Sequence, residues 1–140
     1  RHFTPRVRSD LVRSLNDVRR TIEDKRVPVL DARPAPRFRG DVAEPRAGLK
    51  SGHMPGALSV PSGSLTNEDG SLKSSADLQA IFDKVGADVS HGAVCTCGSG
   101  ITAAIIALAL ARLGHWDAAV YDGSWAEWGS RDDTPVVTGA

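Results

Sequence analysis

Cys97 is followed by two glycines within three residues, in the run Cys97-Gly98-Ser99-Gly100. Glycines at that spacing allow a tight turn whose amide N–H groups converge on one point, and a helix beginning there adds the positive end of its dipole. A thiol at that point is biased toward thiolate, its nucleophilic form. Cys95 lies inside an apolar run, where core packing is the expected role. The two cysteines are too close along the chain for an unstrained bridge. No His or Cys spacing fits a zinc site, so neither a metal nor another cofactor is expected. Phosphoryl transfer by cysteine wants an Arg six residues on, to clamp phosphate through paired hydrogen bonds. The sixth residue after Cys97 is Ala103, and the loop holds no cation, which argues against that chemistry.

The elements that must position Cys97 follow from local pattern. Ala93-Val94-Cys95-Thr96 reads as a buried strand running into the cysteine loop, and Ile101 to Leu113 reads as a helix stopped by Gly114. That helix is apolar nearly all round, which predicts burial on all sides. Val27 to Ala32 reads as a second buried strand, Ala57 to Val60 as a short one, and Ala118 to Tyr121 as another. Ser9 is the expected cap of a first helix carrying Leu11, Leu15, Val18 and Ile22. Ser74 and Asp77 match an N-cap, followed by Leu78, Ile81, Phe82 and Val85 at helical spacing, with Gly86 closing the helix. A short helix is expected to carry Trp125 and Trp128, as packing residues. Strands alternating with helices predict an α/β fold, a parallel sheet covered on both faces.

Residues 33–56 hold four Pro, four Gly and four Arg and show no periodicity. A long irregular segment inside a domain is usually functional. Residues 1–8, with three Arg, a His and a Pro, read as a linker or entering strand, and 9–140 as one domain. The chain starts with Arg1 rather than Met, the expectation being a piece of something longer. Lys and Arg total 17, as do Asp and Glu, so no global field favours nucleic acid. The longest apolar run, Ile101 to Ala111, is too short for a bilayer span, and no leader pattern opens the chain. A soluble, cytoplasmic domain without membrane or nucleic-acid partners is the expectation.

Six short motifs then occur in order. Asp31-Ala32-Arg33 leads to Arg37-Phe38-Arg39-Gly40 and Glu44-Pro45-Arg46; Gly52-His53-Met54-Pro55-Gly56-Ala57 follows. Cys97-Gly98-Ser99-Gly100-Ile101-Thr102 is next, and Tyr121-Asp122-Gly123-Ser124-Trp125 with Glu127-Trp128 closes the series. Over roughly residues 27–131 the chain resembles the rhodanese-like sulfurtransferases, and within them the catalytic half of the tandem-domain, mercaptopyruvate-using branch. The resemblance implies a doubly wound, mainly parallel sheet of about five strands.

It also implies a reaction. Cys97 would take sulfur from 3-mercaptopyruvate as a persulfide, release pyruvate, and pass the sulfur to a thiol, cyanide or thioredoxin-like acceptor. Ser99 would polarise the substrate or deliver a proton. Arg37 and Arg46 would hold its carboxylate and carbonyl, while Gly98, Gly100, Ile101 and Thr102 complete the loop. An N-terminal rhodanese-like domain would be the partner within the same protein. Departures from the branch's pattern are Pro36 for a usual Gly and Ala43 for a usual Pro. Arg suits a carboxylate because its planar fork donates paired hydrogen bonds. Asp31 and Arg33 are expected to form a structural network, since buried charges need partners. His53 is expected to brace its turn. A neutral loop matches a monoanionic keto acid better than dianionic thiosulfate. Thiosulfate as donor, or a non-catalytic partner or sulfur-relay module, are the alternatives.

Overall fold

Five short strands, all parallel, form one sheet in a computed structural model that describes residues 2–140. In chain order they are β1 (Val12–Arg13), β2 (Val29–Asp31), β3 (Leu58–Ser59), β4 (Ala93–Thr96) and β5 (Ala118–Tyr121). Their spatial order is β1-β5-β4-β2-β3. Leu30 pairs with Cys95 and Cys95 with Val120, so β4 lies at the centre with every residue buried. Successive side chains on a strand face opposite ways. Leu30, Ala93 and Cys95 therefore enter one apolar layer, and Val29, Val94 and Tyr121 the other.

Helices cover both layers. On one face lie α3 (Ser75–Lys84), through Leu78 and Phe82, and α4 (Ala103–Arg112), through Ala103, Ile106, Ala109 and Leu110. On the other lie α1 (Leu15–Asp24), α2 (Ala35–Arg39) and α5 (Ser124–Trp128), which contribute Val18, Phe38, Trp125 and Trp128. This is the expected doubly wound α/β arrangement, whose sites collect beyond the carboxyl ends of the strands.

Three expectations need correction. The first helix is capped by Ser14, not Ser9. Ser14 Oγ accepts from the Asp17 amide at 3.2 Å while the Asp17 carboxylate accepts from the Ser14 amide at 2.8 Å. This reciprocal pair satisfies two orphan helix donors. Residues 9–11 form a single 3-10 turn, and the first extended pair in the sheet is Val12–Arg13. Secondly, residues 33–56 are not wholly irregular. Pro34 and Pro36 preset the dihedrals of the five-residue α2, too short to leave a periodic pattern. Thirdly, α4 begins at Ala103 and is buried on one side only; Leu108 is 58% exposed. The Ser74 cap of α3 stands as expected, its Oγ accepting from the Asp77 amide.

Candidate active site

Cys97 is the first residue beyond β4, and the chain turns sharply there toward α4. Its Sγ accepts a 3.0 Å hydrogen bond from the Gly100 amide. Gly100 has φ +93°, and a side chain there would also run into the Asp122 carbonyl, so only glycine brings this N–H onto the sulfur. Burial pushes the Cys97 thiol up. The Thr102 hydroxyl and the amides of Ala103, Ser99 and Gly100 outweigh it and hold the thiol below its ordinary value. Cys95 has no such donors, and burial alone raises its thiol to about 12. One cysteine is thus set for reaction and its neighbour for packing.

The loop is held from behind by α5. The Trp125 and Ala126 amides donate to the carbonyls of Cys97 and Gly98, each at 2.9 Å. Ser124, fully buried, accepts the Cys97 amide at 3.1 Å and donates to the Tyr121 carbonyl at 2.8 Å. Its φ of +49° is uncommon for a residue other than glycine; with a third bond, accepted from Thr96 Oγ1 at 3.3 Å, its hydroxyl is tied at three points that hold it there. Sequence reasoning gave Ser124 no role beyond a motif position. A serine between Gly123 and Trp125, just past a strand, was the available signal.

Facing the loop are Arg33 and Arg37, which share the carboxylate of Glu44. Buried Arg33 bonds Asp31 at 2.8 Å, Glu44 at 3.2 Å and the Gly52 carbonyl at 2.8 Å, and stacks over Trp125 at 4.3 Å. This is the expected structural network. Glu44, also overlooked, extends it to the cysteine cleft: its two oxygens accept from Nε of Arg37 at 2.7 Å and Nη2 at 3.0 Å. Arg37 keeps 24% of its side chain exposed and reaches the cysteine loop. A Cβ on Gly98 would stand 2.9 Å from Arg37 Nη2, so the close approach needs glycine. Glu44 holds the Arg37 guanidinium above its usual value, against burial, and the neighbouring Cys97 charge adds to that.

Cys97, Gly98, Ser99, Thr102, Arg37 and Arg46 together line a cleft of about 440 Å³. Ser99 and Arg46 are exposed there. Among the described residues the Arg46 guanidinium makes no ion pair and the Ser99 hydroxyl no hydrogen bond, so both are free for a ligand. Gly100 and Ile101, the remaining loop residues, do not line the cleft, and Ile101 is 77% exposed. His53 is buried, its Nδ1 2.7 Å from the Phe38 carbonyl and its ring stacked on Phe38 at 3.8 Å, in keeping with a bracing role. A second cavity of about 450 Å³, at the amino end of β2 against Lys25, Val27 and Gly86, has no cysteine in its lining and lies at the opposite edge of the sheet.

The chain that carries this arrangement, a cysteine at the carboxyl edge of a parallel sheet facing arginines, has relatives among known proteins. Residues 14–131 match the rhodanese-like domain, and the chain belongs to that family. It is 43% identical over 134 residues to the 3-mercaptopyruvate sulfurtransferase of Escherichia coli, covering 96% of this chain and 47% of that protein. The mitochondrial thiosulfate/3-mercaptopyruvate sulfurtransferase 1 of Arabidopsis thaliana is 36% identical, over 96% of this chain and 35% of its own length. In three dimensions the chain superimposes on SseA of Escherichia coli, described as a 3-mercaptopyruvate sulfotransferase of rhodanese fold. The TM-score is 0.74 at 39% identity, over 89% of this chain and 45% of that one. The chain thus spans about half the length, or less, of these relatives. No helix among the described residues is long and apolar enough to cross a membrane.

Proposed function

We propose that this chain is the catalytic domain of a sulfurtransferase whose donor is 3-mercaptopyruvate. The observation that carries this reading is the division of labour across the cleft. Neutral donors stabilise the Cys97 thiolate, while the cations stand apart on the facing wall, one fixed by Glu44 and one free. That division suits a monoanionic keto acid, whose carboxylate and carbonyl engage Arg46 and Arg37 while its thiol reaches Cys97.

In this scheme the thiolate attacks the substrate sulfur. An S–S bond forms, the C–S bond breaks, and the electron pair of that bond becomes the enolate of pyruvate. The enolate carbon takes up a proton, delivered by way of the Ser99 hydroxyl, and pyruvate leaves. The persulfide inherits the amide cradle built for the thiolate, and its outer sulfur passes to an acceptor thiol, which restores Cys97. Relatives about twice as long support the further proposal that residues 9–140 are one half of a tandem protein, with an N-terminal rhodanese-like domain as partner.

Thiosulfate is the second donor to weigh, because one relative is named for both donors. Pyruvate release from mercaptopyruvate and thiocyanate formation from thiosulfate, each with cyanide as acceptor, separate the two. The reading predicts a higher kcat/KM with mercaptopyruvate, lowered by Arg46→Ala chiefly through KM. Preference for thiosulfate, or kinetics indifferent to Arg46→Ala, would overturn it.

A further inference from the structure

Residues 132–140 lie beyond the segment that matches the family, yet they are bonded into the wall that carries Arg37. The Pro135 carbonyl accepts from Trp128 Nε1 at 2.9 Å, and Thr134 Oγ1 donates to the Trp128 carbonyl at 2.6 Å. Beyond them the chain makes an antiparallel bridge. The His53 amide donates to the Val137 carbonyl at 2.8 Å, and the Val137 amide to the His53 carbonyl at 3.0 Å. Two residues later the Gly139 amide donates to the Arg39 carbonyl at 2.9 Å.

The groups that receive this segment adjoin Arg37 in α2 and the network of Arg33. The final carbonyls of a helix have no partner within it. In α2 the Phe38 carbonyl is taken by His53 Nδ1 and the Arg39 carbonyl by Gly139. Phe38 and Arg39 directly follow Arg37. Gly52, whose carbonyl holds Arg33, has φ +126°, and a Cβ there would overlap the Val137 carbonyl. The glycine that opens the Gly52-His53-Met54-Pro55-Gly56 turn is therefore required by the tail that lies on it. The Cys97 loop is fastened by a separate set of bonds, from Ser124, Trp125 and Ala126 of α5.

We propose that residues 137–140 are a positioning strap, which bridges His53 and caps Arg39 so that Arg37 is fixed against the Cys97 loop. The proposal rests on the reading of Arg37 as an anion clamp. It requires that loss of the strap weakens the clamp and leaves the thiolate cradle unchanged.

Two alkylating agents separate these effects without any need for turnover. Iodoacetate carries a carboxylate and iodoacetamide is neutral, so their rate ratio at Cys97, relative to a free thiol, reads the cations beside the sulfur. The pH midpoint of the iodoacetamide reaction reads the cradle. The variants are a chain ending at Val136, which keeps the Thr134 and Pro135 contacts, and Val137→Pro, which removes one bridge donor from the whole chain. Arg37→Met is the control. The strap predicts that both variants lower the ratio, by about threefold as expected for a partly exposed charge interaction, with the midpoint moving no further than it does in Arg37→Met. A lower ratio in Arg37→Met with no change in the strap variants would overturn the strap alone. A midpoint that moves further in the strap variants than in Arg37→Met would reduce the segment to general support and also overturn it. A ratio indifferent to Arg37→Met would overturn the clamp, and the strap with it.

Discussion

Glu44 grips Arg37 by both oxygens, at 2.7 and 3.0 Å, and so turns a flexible cation into a fixed wall of the cleft. The same carboxylate reaches buried Arg33, which ties the clamp to the core of the domain. Burial pushes the Glu44 carboxyl up, but Arg37 and Arg33 outweigh it and hold it below the usual carboxylate range. Its contribution is therefore full above the ordinary value of 4.5 and is lost as pH falls through the lowered one.

Glu44→Gln should cost about 3 kcal/mol, because a buried guanidinium loses a charged partner. Where the variant remains folded, KM for mercaptopyruvate should rise more than kcat falls. Urea unfolding at pH 7 and steady-state kinetics check the two parts. An unchanged KM would mean that Glu44 serves stability only.

Ser124 tests the support behind the nucleophile. Ser124→Ala removes the acceptor for the Cys97 amide and keeps the strained backbone at φ +49°. Ser124→Gly removes the same acceptor and relieves that strain, worth roughly 1 kcal/mol. Tm should therefore fall in the order wild type, glycine variant, alanine variant, and both variants should react more slowly at Cys97. Equal Tm values for the two variants would show that the positive φ carries no cost here.

The Thr102 hydroxyl is the leading group that lowers the Cys97 thiol. Thr102→Val keeps the shape of the side chain and deletes the hydroxyl. The pH midpoint for iodoacetamide alkylation should lie below 9.0 in the wild type and move upward in the variant. A midpoint that stays put would assign the thiolate's stability to the amides alone.

Cys95 makes an alkaline prediction of opposite sign. Its thiol is raised in the fold to about 12, whereas unfolding returns it to 9.0. Between those values the unfolded chain has lost a proton that the folded chain keeps, so stability declines as pH rises. The slope from this group is about 1.4 kcal/mol per pH unit. Cys95→Val should match the wild type near neutrality and decline less steeply above pH 9, a difference that denaturant unfolding across pH would measure.

Much of the site was legible in the sequence, for identifiable reasons. The run Ala93–Thr96 is an uninterrupted buried strand, so both the place of Cys97 at its end and the turn glycines could be read locally. Arg37 and Arg46 came through the resemblance, and the structure brings both to the cysteine cleft. Ser14 was passed over for Ser9 because both precede apolar residues, although only Ser14 has an acid three residues on. Glu44 and Ser124 were invisible as working parts because their roles depend on contacts across the fold. Glu44 meets Arg33 from eleven residues away, and Ser124 meets Cys97 from twenty-seven. The strap at Val137 rests on a single long-range bridge, which leaves no period in the chain. The α4 helix misled through composition: an alanine-rich helix looks buried all round even when one face packs and Leu108 does not.

The central claim is that Cys97 accepts sulfur from 3-mercaptopyruvate. Intact-mass spectrometry tests it most directly, on a chain that includes the proposed N-terminal domain, incubated with mercaptopyruvate or thiosulfate beside Cys97→Ser. The account predicts the gain of one sulfur atom with mercaptopyruvate, reversed by a reducing thiol and absent in Cys97→Ser. No gain from either donor, or a gain that persists in Cys97→Ser, would contradict it.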